Sequence, residues 1–165
     1  MPTHPHNRPH KVDASTSEFL FTLYELLFNA QIDLRIKQRT FETAADSKNS
    51  WRVVSISEAA IEHISKTSEA KGLQRGHMLS RVDRAKHLFN REAALTEPEL
   101  LEYFFEHDTV AMVTKAENSK DGVLHWSGLH AVPEGLFTAG SFSIYSRKGK
   151  EIPWITSMRS TKSAV

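Results

Sequence analysis

There is no cysteine among the 165 residues. That one absence removes disulfides, thiol nucleophiles and cysteine-ligated zinc or iron–sulfur sites together. Any metal ligands must then be His, Asp, Glu or Asn. No apolar run approaches the ~20 residues of a membrane span. The first residues, MPTHPHNRPHKV, carry prolines and histidines where a signal peptide would be apolar. The expectation is a cytoplasmic protein with no membrane partner. A strong charge imbalance is missing too, because Lys and Arg total 21 against 20 for Asp and Glu. An argument for nucleic acid must therefore rest on where the charges sit. Also absent are a Gly-rich phosphate loop, a Gly-x-Ser-x-Gly elbow and a His-Glu-x-x-His helix, and no internal repeat is found.

What is present suits one globular α+β domain, expected over residues 14–158. The His/Pro-rich segment 1–13 is too poor in apolar residues to offset its ordering entropy and reads as a disordered tail. His4, His6 and His10 within it are spaced to hold a metal weakly at most. Residues 159–165 read as a flexible C-terminal tail. Ser15 and Glu18 have capping-box spacing. Leu20, Leu23, Leu27 and Ala30 follow at helical period, with Phe21, Tyr24 and Phe28 as a second stripe. A helix apolar on two stripes is either central to the fold or a homodimer surface, here over residues 16–30. Ile32, Leu34 and Ile36 then alternate with Arg35, Lys37 and Arg39, the pattern of a strand with a basic face, and WRVVSI reads as its returning partner in a hairpin. Ser57 caps a short helix that runs to Gly72. Ser80 with Asp83 and Thr96 with Glu99 start two more helices. TVAMVT, GVLHWSGLHAV and FSIYSRKGKEIPWI are strand-like. The fold class is thus N-terminal helices with a β-hairpin, followed by a C-terminal antiparallel sheet.

Charge is segregated locally. Residues 71–91 hold Lys71, Arg75, Arg81, Arg84, Lys86 and Arg91 against the single acid Asp83, while 92–107 hold five acids and no base. One reading is a phosphate-binding helix with Arg84, His87 and Arg91 facing outward, aided by Lys71, Arg35 and Lys37. On that reading Val82, Ala85 and Phe89 form the inner face. The other is that the basic helix pairs with an acidic helix at 97–106.

Between two of the expected helices lies GLQRGHMLSR, residues 72–81. Gly76 immediately before His77 permits a close backbone approach to a ligand. His77 is a candidate general base, with Arg75 and Arg81 beside it to hold a phosphate. Arg75-Gly76-His77 resembles the heart of the His-Me finger nucleases, which include the HNH endonucleases, and TVAMVTKAENSKDG is similar to that family's second half. The resemblance spans residues 72–122. It implies a metal-dependent phosphodiesterase in which His77 activates water and Glu117 and Asn118 hold magnesium or manganese. Gln74 stands where the family usually has an acidic or second metal-binding residue, and two helices separate the halves where the family commonly has a compact loop. In VLHWSGLHAVP, His125 and His130 are five apart, which sets them on opposite faces of an unbroken strand. Trp126 there either stacks on a base or packs.

Three readings follow. One is the nuclease, the second a non-catalytic DNA-binding module built on helix 81–91, and the third a small protein-interaction or inhibitor domain.

Overall fold

In the computed structural model the described residues are 12–119, 126, 128–142, 144 and 149–160. Along them run α1 (Ala14–Asn29), α2 (Leu34–Ser47), β1 (Arg52–Ser57), α3 (Glu58–Thr67), β2 (Leu73–His77), α4 (Arg81–Phe89), α5 (Glu97–His107), β3 (Thr109–Thr114), α6 (Lys115–Asn118), β4 (Leu129–Ala131) and α7 (Glu151–Ser160). The strands form one four-stranded sheet, and the fold is α+β. The chain divides into two units, Met1–Trp51 with His77–Thr109, and Arg52–Gly76 with Val110–Val165. Among the described residues no helix is long and apolar enough to cross a membrane.

The first unit is helical. Its start corrects the expected Ser15/Glu18 capping box: Asp13 is the cap, and its Oδ1 accepts from Thr16 N at 2.8 Å and from Ser15 Oγ at 2.6 Å. A carboxylate just outside the first turn satisfies N–H groups that have no partner within the helix. Val12 already packs against the core, so the fold begins before residue 14. Leu20, Tyr24 and Leu27 point inward with Phe41, Ala85, Leu88, Phe89, Leu100 and Phe104. Of the two readings of the aromatic stripe, packing within the fold holds for Tyr24, which is fully buried with its ring 5.7 Å from Phe89 and 5.8 Å from Phe28, while Phe21 and Phe28 are half-buried against the same core. The Tyr24 hydroxyl donates to Leu88 O at 3.1 Å and accepts from Leu95 N at 2.9 Å. The large apolar side chains that α1 leaves exposed are Phe19 and Leu26.

The expected hairpin strand at 32–39 is instead helical from Leu34 onward, as part of α2. Leu34, Phe41 and Ala45 recur at helical spacing and supply the packed side. Ile32 and Ile36, which made the alternation look like a strand, are among the exposed apolar residues. Ser80 caps α4 by accepting from Asp83 N at 3.0 Å. Thr96 opens α5 with its N–H and hydroxyl both donating to Glu99 Oε2, at 2.8 and 2.7 Å. These two caps lie where the sequence places them.

The second unit holds the body of the sheet, whose strand order is β2-β3-β1-β4. Val110, Ala111, Met112 and Val113 on β3 are all buried, as expected for a strand covered on both faces. At the edge β4 pairs antiparallel with β1, with Ile56 opposite His130. Ser57 caps α3 through Ala60 N, but α3 ends at Thr67 and not at Gly72, because Ser68 takes the left-handed turn at φ 57°. From GVLHWSGLHAV only Leu129–Ala131 is a strand among the described residues, and His125 lies outside them. The end of FSIYSRKGKEIPWI is helix α7, with Pro153 in the first turn, where its missing N–H leaves no bond unmade. The helix continues through Arg159, so the expected tail at 159–165 begins inside it, and 161–165 lie outside the described residues. So do residues 1–11 of the expected N-terminal tail.

Candidate functional site

GLQRGHMLSR is strand at its centre rather than loop, since β2 covers Leu73–His77. Gly76 is glycine for a different reason from the one expected. The Trp126 indole lies so close to its Cα that a Cβ would overlap the ring, so the space a ligand would need is taken by a side chain of the chain itself. Trp126 accordingly packs. Arg75 and His77 are both half-buried. Being two apart on β2 they project to one side of the strand, while Gln74 projects to the other.

Glu117 and Asn118 follow β3 and serve the local fold. Glu117 is buried, and its Oε2 accepts from Ser57 Oγ at 2.8 Å, Thr114 N at 2.9 Å and Thr114 Oγ1 at 3.0 Å. It closes the capping box of α6 and holds the end of β1. Asn118 Nδ2 donates to Gln74 Oε1 at 2.9 Å. Gln74 and His77 are three apart on β2, so the residue that Asn118 grips and the candidate base leave the strand on opposite faces. Among the described residues no three His, Asp or Glu side chains group as a metal site would require.

The basic helix α4 departs most from expectation. Arg84 was expected on its outer side; instead it is fully buried, and Val82 is exposed. The Arg84 guanidinium forks onto Glu42, Nε to Oε1 at 3.1 Å and Nη2 to Oε2 at 2.6 Å. Nη1 donates to Asp108 Oδ1 at 2.7 Å and to His107 O at 3.0 Å, and Ser50 Oγ donates to Asp108 Oδ2 at 2.5 Å. Charge pairing outweighs the apolar pattern here, because a guanidinium satisfied by two carboxylates can lie inside a core where a lone one cannot. Burial is the largest influence on Glu42 and pushes its carboxyl up to about 7. Arg84 pulls it down, and Asp108 pushes it further up.

Other cations of α4 are also engaged. Arg81 lies 3.6 Å from Glu42 and 3.5 Å from Asp46, and Lys86 lies 3.6 Å from Asp83. Arg91 Nη1 reaches His87 Nε2 at 3.3 Å. The His87 ring stacks on Tyr103 with centroids 3.7 Å apart, and Tyr103 meets His107 edge-on at 4.6 Å. Partial burial, followed by Arg91 and His107, lowers the pKa of His87. Glu99, Glu102 and Glu106 are exposed along the same α5. The local excess of base is thus answered by Glu42, Asp46 and Asp108 more than by the acids of α5, a pairing that neither reading of the segregation contained.

Two exposed cations of the first unit that meet no carboxylate among the described residues share one face of α2. Arg35 and Arg39 are exposed and one turn apart, and neither guanidinium meets a carboxylate among the described residues. Ile36, Thr40 and Thr43 share that outer surface. Lys37 leaves it: its Nζ donates to Phe28 O at 3.0 Å and lies 5.8 Å from the centre of the Phe89 ring. Once α2 is known to be a helix, the i, i+4 spacing of Arg35 and Arg39 identifies their common face. Read as a strand, the same residues had seemed to include Lys37. Lys71 in the second unit is exposed, and its carbonyl meets His63 Nε2 at 2.8 Å.

The chain matches no family model, no curated protein and no solved structure.

Proposed function

We propose that this chain binds nucleic acid without cleaving it, using the outer face of α2 in place of helix 81–91. The observation that carries the reading is the pair Arg35 and Arg39, exposed and meeting no carboxylate among the described residues, on a helix whose inner face is fixed by Phe41, Glu42 and Ala45. Two guanidinium groups one helical turn apart can each meet a backbone phosphate, and Ile36 and Thr40 beside them are of the types that touch base edges. The link from α1 to α2, Ala30 to Asp33, is as short as the turn of a helix-turn-helix pair. Arg84 has no part in this reading, since a cation buried between carboxylates cannot reach a phosphate. The side chains Glu117 and Asn118 are taken up by capping and by Gln74, which leaves metal-dependent hydrolysis with the sequence pattern alone in its favour.

Fluorescence anisotropy on labelled duplex and single-stranded DNA and RNA across a salt series tests this. Binding should fall steeply with salt, at ~0.9 in log–log slope for each phosphate contact on duplex. Arg35→Glu with Arg39→Glu should weaken it roughly tenfold or more and lower that slope by about 2. Salt-insensitive binding, or affinity unchanged in the double variant, would remove α2 from the interface. Cleavage in magnesium or manganese that disappears in His77→Ala would replace this reading with the phosphodiesterase.

A further inference from the structure

The outer face of α2 carries more than its two cations. Between residues 34 and 43 the exposed side chains are Arg35, Ile36, Arg39, Thr40 and Thr43, with no acid among them. Ile36 stands within the span of the two arginines and keeps 50% of its surface exposed. Ile32, four residues earlier in the link from α1, keeps 42%. Both line one open depression of about 470 Å³ at the corner between the helices, together with Gln31, Asp33 and Lys37. Single apolar side chains scattered over a surface are ordinary, but two that line one depression beside exposed cations make a mixed surface that suits a ligand with both phosphate and apolar groups.

Building on nucleic-acid binding by this helix, we propose that the same face reads the major groove of duplex DNA, with Ile32 and Ile36 packed on the 5-methyl groups of thymine. Arginines that hold phosphates fix the register of a helix on the duplex, and side chains between them are brought against the base edges. The apolar group that a base edge offers there is the thymine methyl. An α-helix ~10–12 Å across fits a major groove ~12 Å wide. In A-form RNA the major groove is too deep and narrow for side chains to read, and uracil has no methyl group. The isoleucines therefore select DNA, where the arginines alone would accept either polymer. Thr40, one turn beyond Ile36, extends the same edge with a hydroxyl and a methyl group. Asp33 is the one acid among the residues that line the depression, and its side chain makes no cap bond at the start of α2. A phosphate would repel it, whereas the amino group of cytosine donates to such a carboxylate in the major groove. That places the first turn of α2 over the bases, with Arg35 and Arg39 on the phosphates at the rim.

The test compares, on the full chain, an A·T duplex with the same duplex in which deoxyuridine replaces every thymine, so that methyl groups alone are lost. Fluorescence anisotropy should show affinity falling roughly fourfold to fifteenfold, the scale of one or two methyl groups returned to water, with the salt slope unchanged. Ile32→Ala with Ile36→Ala should bind the two duplexes alike, near the parent's affinity for the deoxyuridine form. Both positions are exposed, so this variant should keep the parent melting temperature. Duplex RNA of the same sequence should bind more weakly than either DNA. Equal binding of the thymine and deoxyuridine duplexes by the parent, RNA bound as tightly as DNA, or a thymine preference that survives in the double alanine variant would each overturn the proposal. Where any of these accompanies binding that falls with salt and is lost in Arg35→Glu with Arg39→Glu, α2 remains the nucleic-acid face and the methyl reading alone falls. No salt-dependent binding to any nucleic acid would remove both.

Discussion

In each unit an arginine and two acidic side chains belong to one feature, a buried core in the first and the lining of a cleft in the second, and the two sets differ mainly in depth. In the first unit Arg84 is fully buried between Glu42 and Asp108, with every contact made by the chain itself. In the second, Glu58, Glu62 and Arg159 line an open cleft. The same chemical groups therefore hold a helical core together in one place and line a water-accessible cleft in the other. What separates the two roles is access to water: a buried charge must be paired internally or not exist, whereas an exposed one can exchange partners at little cost.

Removing each arginine gives the strongest test of that contrast. Arg84→Ala leaves two carboxylates buried without their cation and should cost ~3–5 kcal/mol in urea unfolding. Arg159→Ala should stay within about 0.5 kcal/mol. Equal losses would mean that depth is not what distinguishes the two sets.

A second test uses pH. Because the folded carboxyl of Glu42 is raised to about 7 from an ordinary 4.5, the folded state holds this proton more tightly than the unfolded chain. Its contribution is full below about pH 4.5 and is lost as pH rises through about 7, to a limit of ~3 kcal/mol at 1.36 kcal/mol per pH unit. The melting temperature of the parent should therefore fall between pH 5 and 8 by an amount that Glu42→Gln abolishes. An identical pH profile in the variant would show that Arg84 keeps Glu42 ionised throughout.

The smallest effect sharpens the picture of the helical core. Tyr24→Phe keeps the ring packing but removes the hydroxyl shared by Leu88 O and Leu95 N, and should cost ~1–3 kcal/mol by leaving a buried N–H without a partner. A loss near zero would mean that water replaces the hydroxyl there.

Which features were legible in the sequence follows from how far apart their causes lie. The caps at Ser57, Ser80 and Thr96 were legible because each is decided within three residues. Strands β1 and β3 were also legible, since short runs of branched apolar residues have few other uses. Arg84 was misplaced because its partners are 42 and 24 residues away, and no local period records them. The segment 32–39 was misread because exposed isoleucines imitated an alternating strand. In α7, Pro153 was compatible with a helix start, but the branched and aromatic residues around it suggested a strand. The Glu58–Glu62–His130–Arg159 set could not be assembled from sequence, because it draws on three elements. Its one local trace is the i, i+4 spacing of the two glutamates on α3.

The indole of Trp126 resting on the Cα of Gly76 ties two distant positions into one evolutionary unit. Any side chain gained at 76 has to be matched by a smaller residue at 126, and a change at either position alone leaves an overlap or a hole. Among chains that share this fold the two positions should vary together. A library randomised at both sites and selected for folding should return glycine with tryptophan, or a larger residue with a smaller one, and seldom two large residues at once.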